Sequence, residues 1–243
     1  AGSAAFGVAV VLGSVPSLGA ADREPTAFAC EIDNVSDETG TTIDPSGPTN
    51  GVPVVLSPGA FAVHTRGHPI FSAGEPERDN GLEEIAEDGS PARLVSHLQD
   101  ESRVVQTGAF TTPVGAGGPG VLPPGQTYRF EFEAERPATY LSAVTMFVQS
   151  NDLFYVLGGE TGLRLYEGKD PVTGDVTDSV ELWDAGTEIN EEPGKGANQA
   201  PRQAGAGVGL VERGTVARIE TVKVYGYPPA QDVVRVTLSV DGM

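Results

Sequence analysis

The sequence predicts an all-β fold, an antiparallel β-sandwich with one short helix. Three observations carry that expectation. The 32 glycines and 19 prolines among 243 residues divide the chain into many short segments. Apolar and polar residues alternate with a period of two in several of those segments, as where Tyr128, Phe130 and Phe132 interleave with Arg129 and Glu131. Only one stretch, residues 79–89, has the spacing of an amphipathic helix, so the repeated helices of an α/β core are missing.

Taken in order, residues 1–24 form an apolar N-terminal segment in which the first charge is Asp22. Its small-residue ending, Gly19-Ala-Ala21, reads as the remnant of a secretory signal. Phe6-Gly-Val-Ala-Val-Val-Leu12 reads equally as an arm donated to a neighbouring subunit during assembly. Pro16 and the short apolar length argue against a membrane-spanning helix. Residues 25–243 are expected to form a single β domain. Its first strand holds Phe28, Cys30 and Ile32 on one face, and a turn-rich connector covers residues 36–50.

Residues 52–56 and 60–64 follow as strands, Pro53 marking the first as an edge. Leu82, Ile85 and Ala86 share the apolar face of the helix, which Gly89 ends. Residues 93–98 and 104–110 read as short strands, and 113–125 as a Pro/Gly loop without the lysine of a phosphate cradle. After the strand at 128–132, apolar runs at 140–148, 153–157 and 180–183 read as buried strands. Residues 191–207 read as a long mobile loop, and 215–225 and 233–240 as the last strands.

Charge excludes one class of partner. Asp and Glu total 34 against 15 Lys and Arg, for a formal net charge of −19, with lysine only at 169, 195 and 223. Such a surface offers no basic patch for nucleic acid, and its composition is similar to that of proteins from extreme halophiles. Contact with a membrane is expected to be peripheral at most, since an acidic chain meets anionic lipid or glycan only through bridging divalent ions.

The sole cysteine, Cys30, lies on the apolar side of its strand and reads as a small buried hydrophobe. His64 and His68 are four apart, but the interval runs through Arg66-Gly67 and Pro69 follows. The helix that would present both to zinc is therefore absent, and they read as structural histidines.

The sharpest chemistry lies where two apolar runs end. Ser150-Asn-Asp152 breaks the run beginning at Tyr140, and Asp184-Ala-Gly-Thr-Glu188 follows Val180-Glu-Leu-Trp183. If those ends lie side by side, Asp152, Asp184 and Glu188 converge and repel unless they are protonated or share a cation. A set of carboxylates, amide or backbone oxygens and water suits Ca2+. The alternative is a pair of Asx turns in which Asp152 and Asp184 bond only their own backbone.

Those two corners, together with Phe28-Ala-Cys-Glu-Ile-Asp-Asn34, Leu56-Ser-Pro-Gly-Ala-Phe-Ala-Val-His64, Phe71-Ser-Ala-Gly74 and Gly81-Leu-Glu-Glu-Ile-Ala-Glu-Asp-Gly89, occur in an order that resembles the spondin N-terminal domain. The resemblance spans roughly residues 26–240. It implies a C2-like β-sandwich that holds calcium through loop carboxylates at one edge, here Asp152, Asp184 and Glu188. Glu188 stands where that family more often has aspartate, and the cysteines of its animal members are absent.

The resulting expectation is a secreted or cell-surface, non-catalytic, calcium-binding protein for adhesion or surface assembly, with a protein or glycan at the cell surface as partner. Two alternatives stand beside it. One is the subunit of a filament, a homopolymer joined through residues 1–20; the other is a carboxylate-based hydrolase.

Overall fold

The computed structural model of this chain describes residues 25–36, 53–135, 139–222 and 225–240. In chain order the strands are β1 (Thr26–Asn34), β2 (Leu56–His64), β3 (Val104–Phe110), β4 (Thr127–Ala134), β5 (Tyr140–Phe147), β6 (Leu153–Leu157), β7 (Leu163–Arg164), β8 (Tyr166–Glu167), β9 (Asp170–Pro171), β10 (Gly174–Asp175), β11 (Val180–Asp184), β12 (Ala217–Arg218) and β13 (Val234–Val240). Helices α1 (Leu82–Asp88) and α2 (Ala92–Asp100) lie between β2 and β3.

Antiparallel pairing builds a smaller sheet in the order β10-β13-β1-β4 and a larger one in the order β12-β11-β6-β5-β2-β3. β7 pairs with β5, and β8 with β9 form a separate ribbon.

Two apolar clusters hold these layers. Alternation in β1, β4 and β13 turns Phe28, Cys30, Ile32, Tyr128, Phe130 and Val236 toward Phe61, Val63, Leu141 and Tyr155 of the larger sheet. The Phe61 and Phe130 rings stack there at 4.4 Å. On the opposite face of the larger sheet, Ala62, Val144, Phe154, Val156 and Trp183 pack against Leu82, Ile85, Leu94 and Leu98 of the helices. Phe71 fills the middle of this second cluster, 4.9 Å from the Trp183 ring.

The structure corrects the expected all-β, C2-like sandwich with one short helix. Among the described residues two helices longer than a single turn roof the larger sheet, giving a mixed fold whose sheets stay open and close into neither a sandwich nor a barrel. The reason lies in β5 and β6, which are buried along almost their whole length and therefore need apolar cover on both faces. The stretch read as a strand at 93–98 is the centre of α2. Pro91 stands at its start, and Leu94 and Leu98, four apart, face the core.

Near the end of the chain, the long strand expected at 215–225 shrinks to β12 followed by a single helical turn at Ile219–Val222. β2 begins only at Leu56, so the expected strand at 52–56 is not formed by the described residues 53–55. The segment 1–24 and most of the connector 36–50 lie outside the described residues.

A layer that matters to the fold must register in its stability. Leu94→Ala removes a fully buried side chain from the helix-to-sheet cluster. It is expected to lower the unfolding free energy by about 2–5 kcal/mol. Val105→Ala on the exposed face of β3 should change it by no more than about 0.5 kcal/mol in the same urea titration.

Candidate metal centre

The site begins with register. β6 and β11 run antiparallel with Asp184 opposite Leu153, so the end of one strand meets the start of the other. The Ala185 N–H donates to the carbonyl of Asp152 at 3.1 Å and locks the two corners together. Ser150 shapes the first corner, its hydroxyl donating to the Phe147 carbonyl and accepting from the Leu153 N–H. In the second corner the Gly186 N–H donates to Asp184 Oδ1 at 2.7 Å, an Asx turn.

Gly186 adopts φ 69°, and a side chain there would collide with the backbone of Thr215 at 2.7 Å. That close approach matters because the chain returns alongside the second corner. Gly214 donates to the Gly186 carbonyl, Glu212 to that of Thr187, and Ile189 to that of Leu210, so 186–189 and 210–214 form a short ladder.

Through this ladder Glu212 joins Asp152 and Asp184. Carboxylate oxygens of the three lie within 4.8 Å of one another, a cluster capable of holding a metal ion. The two aspartates are buried and Glu212 is exposed, which leaves the centre one open side. Asp152 Oδ2 accepts the N–H groups of Thr187 and Glu188 at 2.9 and 3.0 Å, whereas Oδ1 is buried without a hydrogen-bond partner. Asp184 Oδ2 accepts from the Asn190 amide at 2.5 Å. Each aspartate thus uses one oxygen to bind the corner backbone, and Asp152 keeps the other for something else.

Electrostatics make that arrangement expensive. At 4.8 Å, two full charges repel by about 3 kcal/mol even at an effective dielectric of about 20. Burial pushes the Asp152 carboxyl well above the usual range and Asp184 adds to the rise, while the Glu188 and Thr187 N–H groups oppose it. Asp184 is raised by burial, against the Asn190 amide, the Gly186 N–H and the adjoining Asp152 carboxyl, and Glu212 is raised by burial and by Asp184. The Tyr227 hydroxyl, also buried without a partner, is pushed up by burial and then by both aspartates. A divalent cation held among the three carboxylates would oppose the rise in each of them.

Of the residues expected at the site, Asp152 and Asp184 come together and Glu188 takes a different post. Its Oε1 accepts the Gly209 N–H at 2.6 Å and its Oε2 accepts the Asn151 amide at 3.3 Å, so it ties the loop after residue 204 to the first corner. Glu212 takes the third place in the cluster. It lies in an irregular segment with no periodicity, and Thr215-Val-Ala, which begins the following run, gave no sign that the chain doubles back there.

The loop expected to be mobile over 191–207 is tied at several points. Glu191 N–H donates to Asn151 Oδ1, Gly194 N–H to the Gln149 carbonyl, and Gln203 Nε2 to Asp88 Oδ1 at 2.6 Å.

Beside the cluster, Pro76, Glu83, Glu87, Thr187, Glu188 and Arg213 line a cavity of about 380 Å³. Glu87 of α1 is 3% exposed, and burial first, with Glu188, Glu83 and Asp88 behind it, raises its carboxyl to about 8 against an opposing hydrogen bond from Thr187. The histidines are structural. His64 bonds the Thr65 carbonyl and the Ser142 hydroxyl, and His68 Nδ1 accepts the N–H groups of Ile70 and Phe71. Burial lifts the Cys30 thiol far above its ordinary value and keeps it a hydrophobe.

No protein-family model matches the chain, and no curated protein matches it. The corner motifs are carried here by the open mixed fold in place of the sandwich that the resemblance implies.

Glu87 gives the pH dependence its sign. Its folded value of about 8 exceeds its ordinary 4.5, so its protonated form stabilises the fold; that contribution is complete below 4.5 and lost as pH rises through 8. The buried aspartates act in the same sense. His68, lowered by burial to about 3 from 6.5, acts oppositely, its contribution being complete above 6.5 and lost as pH falls toward 3. In chelator, stability measured by urea unfolding is expected to fall between pH 6.5 and 8, and Glu87→Gln should flatten that fall.

Proposed function

We propose that this chain is a non-catalytic divalent-cation-binding module in which one ion, calcium by preference, fastens the corner after β5 to the corner after β11. The observation that carries this reading is the buried, unpartnered Oδ1 of Asp152 within a cluster of three carboxylates. A buried carboxylate oxygen is costly unless a donor or a cation meets it. The ligand chemistry is all oxygen, which favours calcium, magnesium or manganese over zinc or copper. The mixture of buried and exposed ligands on three separate segments suits calcium, whose shell tolerates irregular geometry and six to eight oxygens.

Ion binding would offset two of the three negative charges of the corner and hold 150–152, 184–188 and 210–214 as one unit. Adhesion or assembly at a cell surface is the role such a stapled edge fits best, with a protein or glycan as partner.

A second reading is favoured by one feature. Glu87 keeps a proton near neutral pH at the wall of a cavity that also touches Thr187 and Glu188. A protonated carboxyl beside a metal-binding cluster is the equipment of a carboxylate-based hydrolase. Hydrolysis of a glycoside or ester substrate that disappears in Glu87→Gln, with ion uptake retained, would establish that reading over the non-catalytic one.

Variants separate the roles of the two glutamates. Glu212→Gln is expected to weaken calcium binding at least about tenfold in calorimetric titration while leaving the melting temperature in chelator nearly unchanged. Glu188→Gln should lower the melting temperature in chelator, because it loosens the bond to Gly209. Asp184→Asn should lower ion affinity and the stabilisation conferred by saturating calcium together. Calcium binding untouched in both Asp184→Asn and Glu212→Gln would remove this site.

A further inference from the structure

The larger sheet carries a second concave feature at the end opposite the metal centre. A cavity of about 620 Å³ opens there, where β5 begins at Tyr140, β6 gives way to Gly158 and β11 follows Ser179. Its centre is a row of side chains set by register. His64 of β2 pairs with Tyr140 of β5, and Tyr140 pairs in turn with Arg164 of β7. Residues directly across neighbouring strands share a face of the sheet. The His64 ring accordingly stacks on Tyr140 at 5.8 Å, and the Arg164 guanidinium lies 5.9 Å from the centre of the Tyr140 ring.

The polar groups around this row are of two kinds. Glu181 is already engaged, since Arg218 meets its Oε1 at 2.9 Å and the Trp183 indole N–H donates to its Oε2 at 2.9 Å. Gly159 lies against the same carboxylate, so close that a side chain there would meet Oε2 at 2.8 Å. Arg164, by contrast, is exposed and forms no ion pair among the described residues, although acids outnumber bases 34 to 15 in the chain. Glu160 and the Ser179 hydroxyl line the cavity beside it, also without a partner among the described residues.

We propose that this cavity binds a carboxylated sugar, the hexuronate unit of a glycan, with the sugar carboxylate on Arg164 and ring hydroxyls on Glu160 and Ser179. The groups left free decide the class of ligand. A guanidinium fork matches a carboxylate through two parallel N–H bonds. Ionised Glu160 only accepts, so the ligand must bring hydroxyl donors next to its anionic group. A simple anion lacks those donors, and a neutral sugar leaves the Arg164 charge unmet. The volume falls within the range of small-ligand sites. No ion takes part, so this site stands or falls apart from the metal reading.

The test is an amide chemical-shift titration of the full chain in chelator with three probes: glucuronate, which has both features, glucose, which has only hydroxyls, and acetate, which has only the carboxylate. Glucuronate is expected to move the amides of Gly158–Leu163 and to bind at least about tenfold more tightly than either of the others. Arg164→Gln should weaken glucuronate at least about tenfold, Arg164→Lys should restore part of that loss, and Arg213→Gln, at the metal end, should change nothing. Acetate binding as tightly as glucuronate would reduce the cavity to a carboxylate site, and glucose doing so would reduce it to a neutral-sugar site; either overturns the proposal. Absence of glucuronate binding, shifts confined to other parts of the chain, or wild-type affinity in Arg164→Gln would overturn it as well.

Discussion

Repulsion between two buried aspartates at the joint of β6 and β11 is the constraint around which this edge of the protein is organised. Strand pairing alone brings them there, because Asp184 faces Leu153 in the ladder and Asp152 is the residue before it. The apolar side chains of β6 and β11 fix that register through burial, so the sheet cannot slip to separate the charges without exposing Phe154 or Trp183. What surrounds the joint consists of partial remedies. The Thr187 and Glu188 N–H groups meet Asp152, and the Gly186 N–H and the Asn190 amide meet Asp184. These donors offset desolvation for one oxygen of Asp152 and leave the other exposed only to protein interior.

The helical roof belongs to the same system. α1 is held against the larger sheet by Leu82, Ile85 and Ala86, and that apolar contact carries Glu87 inward beside Thr187. Asp88, the last residue of the helix, receives the Gln203 amide and so joins the roof to the long loop that passes the metal corner. Glu188 completes the circuit by holding Asn151 on one side and Gly209 on the other. The correction from a two-layer sandwich to a roofed open sheet therefore changes the site as well as the fold, since a carboxyl from the third layer reaches the corner.

Much of this was legible in the residues, for identifiable reasons. Alternation placed Phe28, Cys30, Ile32, Phe130 and Phe132 correctly because β1 and β4 bury one face. The corners at Asp152 and Asp184 were visible because each ends an apolar run that strand burial demands. Glu212 was hidden, as it reaches the cluster by a ladder of backbone bonds that leaves no periodic trace. Glu188 turns toward Gly209 and Asn151, a direction that its closeness in sequence to Asp184 does not reveal, and Gly209 leaves room for it there. In α2, the four-residue spacing of Leu94 and Leu98 within a short window fits strand and helix alike, and the need to cover Trp183 and Phe71 decides between them.

Protons and a metal ion would be alternative occupants of the corner, and the Glu87 carboxyl stands close by at the wall of the adjoining cavity. A divalent ion shared by three carboxylates leaves the cluster with one net negative charge, whereas the free cluster carries up to three. Because burial holds the Glu87 carboxyl near 8, the roof contributes no further negative charge at neutral pH when the corner is already crowded. A cation bound there would lower the cost of ionising the carboxyls around it, and Thr187, which touches both Glu87 and Asp152, links the corner to the roof. The structure thus ties an electrostatic event at the edge to the packing of α1, and it does so with side chains whose positions are set by apolar burial several residues away.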